Sequence, residues 1–250
     1  MNDLVSIVTP VFNAADFLEQ TIASVQSQTH VNWEWILIDD ASSDQSVTII
    51  QAHQKKDPRI HLITLKANVG SAQTRNLGIE KASGKYLTFL DADDLWLPHF
   101  IQTSIQTIQQ TNIPFVFASY HRLNEQLEPL YSDFIVPNKV TYTDILKSNS
   151  ISCLTAFVDV QTLGKKFMPN VRKRQDMGLW LQYLKEIPYA YGIAEVLAIY
   201  RIRKNSLSRN KKALLASQWY YYRKVEKLSF LASAYYMTHW MVRGFLKYRN

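Results

Sequence analysis

Lys85-Tyr86-Leu87-Thr88-Phe89-Leu90-Asp91-Ala92-Asp93-Asp94 is an apolar run that ends abruptly in three carboxylates. The run reads as a buried strand. Like charge crowded at its tip is costly to fold unless something positive sits there. A divalent cation is the simplest partner, because hard oxygen ligands select Mg²⁺ or Mn²⁺, and such a cation usually arrives with a phosphate. Asp91 and Asp93 alternate along an extended chain and so face the same side, as a metal or nucleotide contact requires. The plainer alternative is that Asp93 or Asp94 caps a turn beginning near Leu95.

Upstream of this stretch the pattern alternates. Residues 4–9 form a strand-like apolar run closed by Pro10 and Asn13, and 14–28 carry Phe17, Leu18, Ile22 and Val25 at helical period. Residues 33–38 are strand-like and end in Asp39-Asp40. Ser43 or Asp44 is placed to cap a helix running to about Lys56. A third strand spans 60–65, a helix spans 71–82 with Ser83-Gly84 as its stop, and 85–90 is the fourth strand. Strand–helix alternation with short connections predicts right-handed crossovers and a parallel sheet with helices on both faces. Ligands bind at the carboxyl ends of strands in such sheets. Three of those ends are polar and should converge: residues 9–13, 39–44 and 91–94. Beyond Leu97-Pro98 the expected elements are a helix over 100–110, a strand over 115–120 and an irregular hairpin over 123–140. Thr143 is placed to cap a short helix to Ser148, followed by a strand over 152–158, a helix over 177–184, a strand over 191–200 and one long helix or a helical pair from Lys211.

Composition narrows the class. A chain of 250 residues with 47% hydrophobic content suits one large domain with an appendage and a proper core. The single cysteine, Cys153, excludes an internal disulfide and fits a reducing compartment. Residues 1–13 lack the basic start and apolar core of a signal peptide, and no run of 18 apolar residues suggests a spanning helix. The net charge of +7 is uneven: residues 1–150 carry 10 Lys/Arg against 16 Asp/Glu, and residues 151–250 carry 18 against 5. The basic half calls for an anionic partner.

Each remaining motif has a chemical and a structural reading. A carboxylate at Asp39 or Asp40 can accept from a uracil ring N–H or from ribose hydroxyls, or it can cap the next helix, as Ser42 can. In Asn68-Val69-Gly70-Ser71-Ala72-Gln73-Thr74-Arg75-Asn76-Leu77-Gly78 a glycine opens a helix and Arg75 lies one turn in. Its planar donor fork suits a diphosphate, though a surface arginine on an amphipathic helix looks the same. Neither a P-loop nor a Gly-x-Gly-x-x-Gly fingerprint is present. Asp176, in Gln175-Asp176-Met177-Gly178-Leu179-Trp180, is a candidate general base, although aspartate at a helix N-terminus is routine. Arg201 and Arg203, at the end of a strand in the 200–208 segment, suit a phosphate or a solvated basic loop.

Taken together and in order, the segments 5–13, 38–44, 68–70 with Arg75-Asn76-Leu77-Gly78, and 89–94 resemble family 2 glycosyltransferases. The likeness continues more weakly through Gln175-Asp176 and Tyr200-Arg201 to Ser208. It implies a GT-A fold: an α/β protein with a mostly parallel, Rossmann-like sheet flanked by helices. Here a catalytic domain over 1–210 (nucleotide half 1–98, acceptor half 99–210) would precede a helical extension over 211–250. The resemblance further implies a nucleotide-sugar donor, a UDP-sugar first, a divalent metal (Mn²⁺ or Mg²⁺) and inversion at the anomeric carbon. Carried over by position, Thr9, Pro10, Val11, Phe12 and Asp39 or Asp40 hold nucleobase and ribose. Arg75 approaches base or diphosphate, Asp91 and Ala92 lie at ribose or metal, Asp93 is the metal ligand, and Asp176 is the base. Two positions depart from the family pattern. Gln175 replaces a glutamate beside the base. Arg203 stands where many members have a histidine near the metal, and there it would pair with the leaving diphosphate, as would Arg201. The Gln-x-x-Arg-Trp signature of processive synthases is absent, which favours transfer of one sugar. The two departures keep open a second class, a non-catalytic nucleotide-sugar-binding or scaffold protein of the same fold.

Residues 211–250 hold eight Lys/Arg, one acid (Glu226) and many aromatics. Leu228, Leu231, Tyr235 and Val242 recur at roughly helical spacing. That suits an amphipathic helix on anionic lipid, which would make the protein peripheral at the inner, cytoplasmic face of a cell membrane beside a cell-surface glycan or lipid-linked acceptor. The structural alternative is a helix packed on the domain or in a homodimer. No recognised nucleic-acid-binding motif accompanies the charge.

Overall fold

In the computed structural model, residues 3–171, 173–203 and 211–247 are described. Strands β1 (Val5–Val11), β2 (Trp33–Asp39), β3 (Ile60–Thr64) and β4 (Tyr86–Phe89) alternate with helices α1 (Ala15–Gln26), α2 (Ser46–Gln54) and α3 (Ser71–Lys81). The four strands are parallel, in the order β3-β2-β1-β4. Their side chains alternate strictly. Val5, Ile7 and Val11 point to one apolar layer with Trp33, Trp35 and Leu37, while Val8, Ile36 and Ile38 point to the other. Leu18, Ile22 and Val25 on α1 are spaced to bury one face, each contributing roughly 1.5–3 kcal/mol. On the opposite layer α3 comes so close that a Cβ at Gly78 would lie 2.4 Å from Val8 Cγ1.

The chain then forms β5 (Leu95–Trp96), α4 (Phe100–Thr111), β6 (Phe115–Leu123), β7 (Pro129–Phe134), β8 (Lys139–Val140), α5 (Tyr142–Lys147), β9 (Phe157–Asp159), α6 (Val160–Leu163), α7 (Gln175–Leu184) and β10 (Ala190–Arg201). These strands extend the same sheet with mixed direction, giving β3-β2-β1-β4-β9-β6-β10-β5. Strand β9 runs antiparallel between β4 and β6, β10 runs parallel to β6, and β5 lies antiparallel to β10. The parallel sheet read from the sequence therefore holds through β4 and gives way to mixed pairing beyond it.

Several local expectations are corrected. Pro10 does not close β1, which continues to Val11. Pairing with β4 stops at Val8, so the proline leaves no ladder bond unmade. Asp93 and Asp94 cap no helical turn, because strand β5 follows them. Neither Asp40 nor Ser42 caps α2. Asp44 receives the Ser46 N–H at 2.9 Å and, with its other oxygen, the Ala15 N–H at 2.9 Å, so one side chain serves two helix starts. Thr141, not Thr143, caps α5, in a reciprocal box with Asp144. The strand expected over 152–158 is a 3₁₀ turn, Cys153–Thr155, followed by β9.

The C-terminal segment forms α8 (Lys211–Tyr220), a π turn (Tyr221–Val225) and α9 (Phe230–Lys247). Tyr221 and Tyr222 are fully buried in the core layer that holds Leu179, Trp180 and Leu184. The Tyr222 hydroxyl donates to the Leu146 carbonyl. Glu226 accepts from Tyr142 at 2.7 Å and pairs with Lys185 at 2.8 Å. Among the described residues no helix is long and apolar enough to cross a membrane.

Candidate active site

The carboxyl ends of β1, β2 and β4 meet, as parallel crossovers require, and their loops are laced together. Asn13, at a left-handed φ of 48°, accepts the Ser43 N–H at 2.8 Å, and the Asn13 N–H donates to Ser42 Oγ at 3.0 Å. Ala41 is also left-handed, φ 61°, a conformation costing on the order of 1 kcal/mol for a residue with a Cβ. Its turn sends the two neighbouring carboxylates to different tasks. Asp40 is buried and spends both oxygens on the backbone N–H groups of Val69 and Gly70, at 2.7 and 2.9 Å. It holds the loop into α3, with Gly70 at φ 87°. Asp39 accepts the Ser42 N–H at 3.1 Å through Oδ2, while its buried Oδ1 has no partner in the protein. Of the 9–12 segment, Thr9 and Val11 are sealed in the core, and the Thr9 hydroxyl accepts from Trp35 Nε1 at 2.8 Å. Pro10 is half-buried, and Phe12 is 52% exposed above the cleft.

Arginines answer the charge crowding at Asp91–Asp94. Arg75 reaches from the buried side of α3 to ion-pair with Asp91. Arg203 lies 3.3 Å from Asp93. Asp94, fully inside, accepts the Arg201 backbone N–H at 2.8 Å, which ties the end of β10 to this loop. The Arg201 and Arg203 guanidinium groups both lie over the Phe17 ring, at 4.8 and 4.9 Å, and Arg201 also donates to Gln20 at 2.6 Å. The Thr21 hydroxyl lies 3.0 Å from both the Ala92 and the Asp94 carbonyl and fixes the loop from beneath. Compensation is incomplete. Burial first, then the Asp91 charge, raises Asp93 above the ordinary carboxylate value, against the pull of Arg203. Burial, Asp93 and Asp91 raise Asp94 well above it.

Asp176 comes to the same place from the other half of the chain. It lies in the first turn of α7, half-buried, and accepts from Asn149 Nδ2 at 3.1 Å. Ser71 at the start of α3 donates to Gln175 at 3.0 Å, which joins the two helix N-termini. Asp176 is within electrostatic reach of Arg75 and of Cys153, whose thiol burial pushes up.

The donor set can be tested against a metal. Asp91 and Asp93 each spend one oxygen on an arginine, leaving hard oxygen donors of the kind Mg²⁺ and Mn²⁺ accept. Among the described residues no cluster of three or more His, Cys, Asp or Glu could hold an ion. The residues therefore fit the mode in which one or two carboxylates share the ion with substrate phosphates, and not a self-sufficient protein cage.

A family model, Glycosyl transferase family 2, matches residues 6–153. The chain belongs to glycosyl transferase family 2. TuaG of Bacillus subtilis (strain 168), a candidate teichuronic acid biosynthesis glycosyltransferase, is 39% identical over 93% of this chain and 92% of its own. The Escherichia coli UDP-Glc:alpha-D-GlcNAc-diphosphoundecaprenol beta-1,3-glucosyltransferase WfgD is 34% identical over 98% of this chain and 95% of its own. S. aureus TarS 1-349, solved in complex with UDP-GlcNAc, matches with a TM-score of 0.73 at 14% identity, over 96% of this chain and 72% of that one. The mannosyltransferase PcManGT of Pyrobaculum calidifontis, solved with GDP-Man and Mn²⁺, matches with a TM-score of 0.63 at 16% identity, over 86% and 60%. The fold of this family 2 glycosyltransferase is GT-A.

Sequence reasoning on this glycosyltransferase missed Asn149, Thr21 and Gln20, the residues that hold Asp176, the Ala92–Asp94 loop and Arg201. Asn149 stands in the polar run Ser148-Asn149-Ser150 past the end of α5, a weak signal. Thr21 and Gln20 carry no local signal, because they act across the fold. Lys204 to Ser208, the remainder of the basic motif, lies outside the described residues.

Proposed function

We propose that this glycosyltransferase moves one sugar from a nucleoside-diphosphate sugar, a UDP-sugar first, to a hydroxyl of a cell-surface or lipid-linked glycan, with inversion at the anomeric carbon. The observation that carries this is the junction of α3 and α7. There Ser71 bonds Gln175, and the Asp176 carboxylate comes within electrostatic reach of the Arg75–Asp91 pair. Donor and acceptor machinery thus share one cleft. The UDP-Glc and diphosphoundecaprenol in the name of WfgD support the choice of donor and acceptor class.

In this reading Phe12 and Pro10 flank the base, and the free Oδ1 of Asp39 receives a base N–H. Thr9, Val11 and Asp40 act from behind, as the scaffold that sets the loops. Asp176, oriented by Asn149, takes the proton from the acceptor hydroxyl as that oxygen bonds to the anomeric carbon and the bond to the diphosphate breaks. Negative charge gathering on the leaving diphosphate meets Arg75, Arg201 and Arg203, donors already in place. A Mg²⁺ or Mn²⁺ ion, when bound by Asp91 and Asp93, would neutralise part of that same charge. Gln175 adds no charge of its own, so Asp176 is the one carboxylate in the first turn of α7. In this reading the protein works peripherally at the cytoplasmic face of a membrane, where it would meet a lipid-linked acceptor.

The test is UDP release from a panel of UDP-sugars with Mn²⁺, with and without a diphosphoundecaprenol-linked acceptor, followed by analysis of anomeric configuration. Acceptor-dependent release from one donor with an inverted product is expected. A retained configuration, or no release from any UDP-sugar, would refute the reading.

A further inference from the structure

The helical tail has two different faces. The inner face of α9 is packed: Ser233 is buried, Tyr236 and Met237 lie against the core layer, and Tyr236 meets Tyr222 with ring centroids 6.2 Å apart. Trp240 lies under the Arg174 guanidinium at 5.1 Å, two residues before Asp176. The outer face is apolar and uncovered. Leu231, Tyr235 and Val242, at i, i+4 and i+11, form one stripe and are 80%, 51% and 53% exposed, with Phe230 and Met241 beside them at 64% and 45%. Contiguous exposed apolar surface of this kind marks an interaction site.

Charge selects the occupant. The one acid of the tail, Glu226, is turned inward and consumed by Lys185 and Tyr142, with 4% of its side chain exposed. Lys224 and Lys227, at the approach to α9, are exposed. The outer face therefore presents apolar side chains, with exposed lysines in the segment that leads into the helix and no acid of the tail exposed to oppose them. A second copy would offer the same apolar stripe and the same lysines, and its own tail acid, Glu226, is turned inward and cannot meet them. An anionic bilayer supplies both complements at once: acyl chains for the stripe and phosphate for the lysines.

We propose that the outer face of α9 is a docking surface for an anionic lipid bilayer, and that the Trp240–Arg174 contact orients the acceptor-binding half toward it. The bilayer then lies about one helix diameter, roughly 10 Å, from the start of α7. A sugar acceptor held in that bilayer approaches Asp176 from the membrane side. This deepens the lipid-linked reading and rests on it for the purpose of docking, not for its chemistry.

The test is co-sedimentation of the full chain with vesicles of phosphatidylglycerol and phosphatidylcholine, against phosphatidylcholine alone. Binding to the anionic vesicles only is expected. Leu231→Glu with Val242→Glu should lower the partition by at least about tenfold without changing thermal unfolding, since both side chains are exposed. Lys224→Glu with Lys227→Glu should lower it by about fivefold per lysine. Unchanged partition in the Leu231/Val242 variant, or no binding of the wild type to anionic vesicles, would overturn the proposal. So would a lipid-free dimer in sedimentation velocity that the same substitutions dissolve, because the occupant would then be a second copy. UDP binding by calorimetry, without lipid, should be equal in wild type and variants. Loss of UDP binding in every form, with vesicle binding intact, would count against the donor reading alone.

Discussion

The two edges of the parallel sheet treat carboxylates in opposite ways. At the amino edge, Glu34 accepts from the Ser6 hydroxyl at 2.5 Å and from the Ser83 N–H and hydroxyl at 2.6 and 2.9 Å. Burial works against the charge, but these bonds hold Glu34 below the ordinary value. Nearby, Asp57 binds Arg59 through both oxygens, and the guanidinium lies 3.6 Å over Trp33. At the carboxyl edge, burial and then the charge of neighbouring carboxylates, Asp91 for Asp93 and both Asp93 and Asp91 for Asp94, raise the two above the ordinary value, and Asp39 keeps a buried oxygen without a partner. The first edge is electrostatically finished and serves stability. The second is left incomplete, and a ligand carrying N–H donors and a metal-bound diphosphate would complete it.

The largest expected contrast is kinetic. Asp176→Asn should lower kcat by about 10²–10⁴-fold and leave UDP affinity in place, as measured by steady-state kinetics beside calorimetry. Unchanged turnover would remove Asp176 as the base. Next, Arg75→Met strands Asp91 beside Asp93 and Asp94. Urea denaturation should show a loss of about 3 kcal/mol, together with weakened UDP binding. Filling the cleft tests the incompleteness directly: UDP with Mn²⁺ at about a hundred times Kd should stabilise the fold by about 2.7 kcal/mol, and Asp93→Ala should remove the Mn²⁺-dependent share.

The amino edge should behave in the opposite sense. Glu34→Gln should cost about 2 kcal/mol at neutral pH, with kcat and UDP affinity unchanged. Because the folded value of Glu34 is depressed, its contribution is complete above the unfolded value of about 4.5 and is lost as pH falls through the lower folded one. The gap between wild type and variant therefore closes in acid, and a gap that widens there would break the comparison. The smallest effect belongs to Arg203→Gln. With the arginine side chain 40% exposed, stability should change by less than about 1 kcal/mol, while UDP affinity falls a few-fold.

Much of the first half of the chain was legible because its signals are local. Strand-like apolar runs, helical periods and polar strand ends predicted the parallel order and the meeting of residues 9–13, 39–44 and 91–94. The roles of particular side chains were less legible. Asp39 and Asp40 are adjacent and chemically identical, yet the left-handed turn at Ala41 leaves one with a free oxygen and gives the other to the backbone of residues 69 and 70. Thr9 carried a binding expectation, but strand alternation turns it to Trp35. In the second half, the strand expected over 152–158 became a 3₁₀ turn, because Trp96 and Ala118 place a donor and an acceptor beside Leu154 and Thr155.

The sequence alone determined the family, the parallel half of the sheet, and which carboxylates and arginines would gather at one edge, since periodicity and short crossovers act over a few residues. Only the tertiary structure decided the pairing of Arg75 with Asp91 and Arg203 with Asp93, the support of Asp176 by Asn149, and the division of the tail into a packed face and an exposed one. Those outcomes depend on side chains that are between 14 and 110 positions apart in the chain and are brought together by packing, which no local pattern encodes.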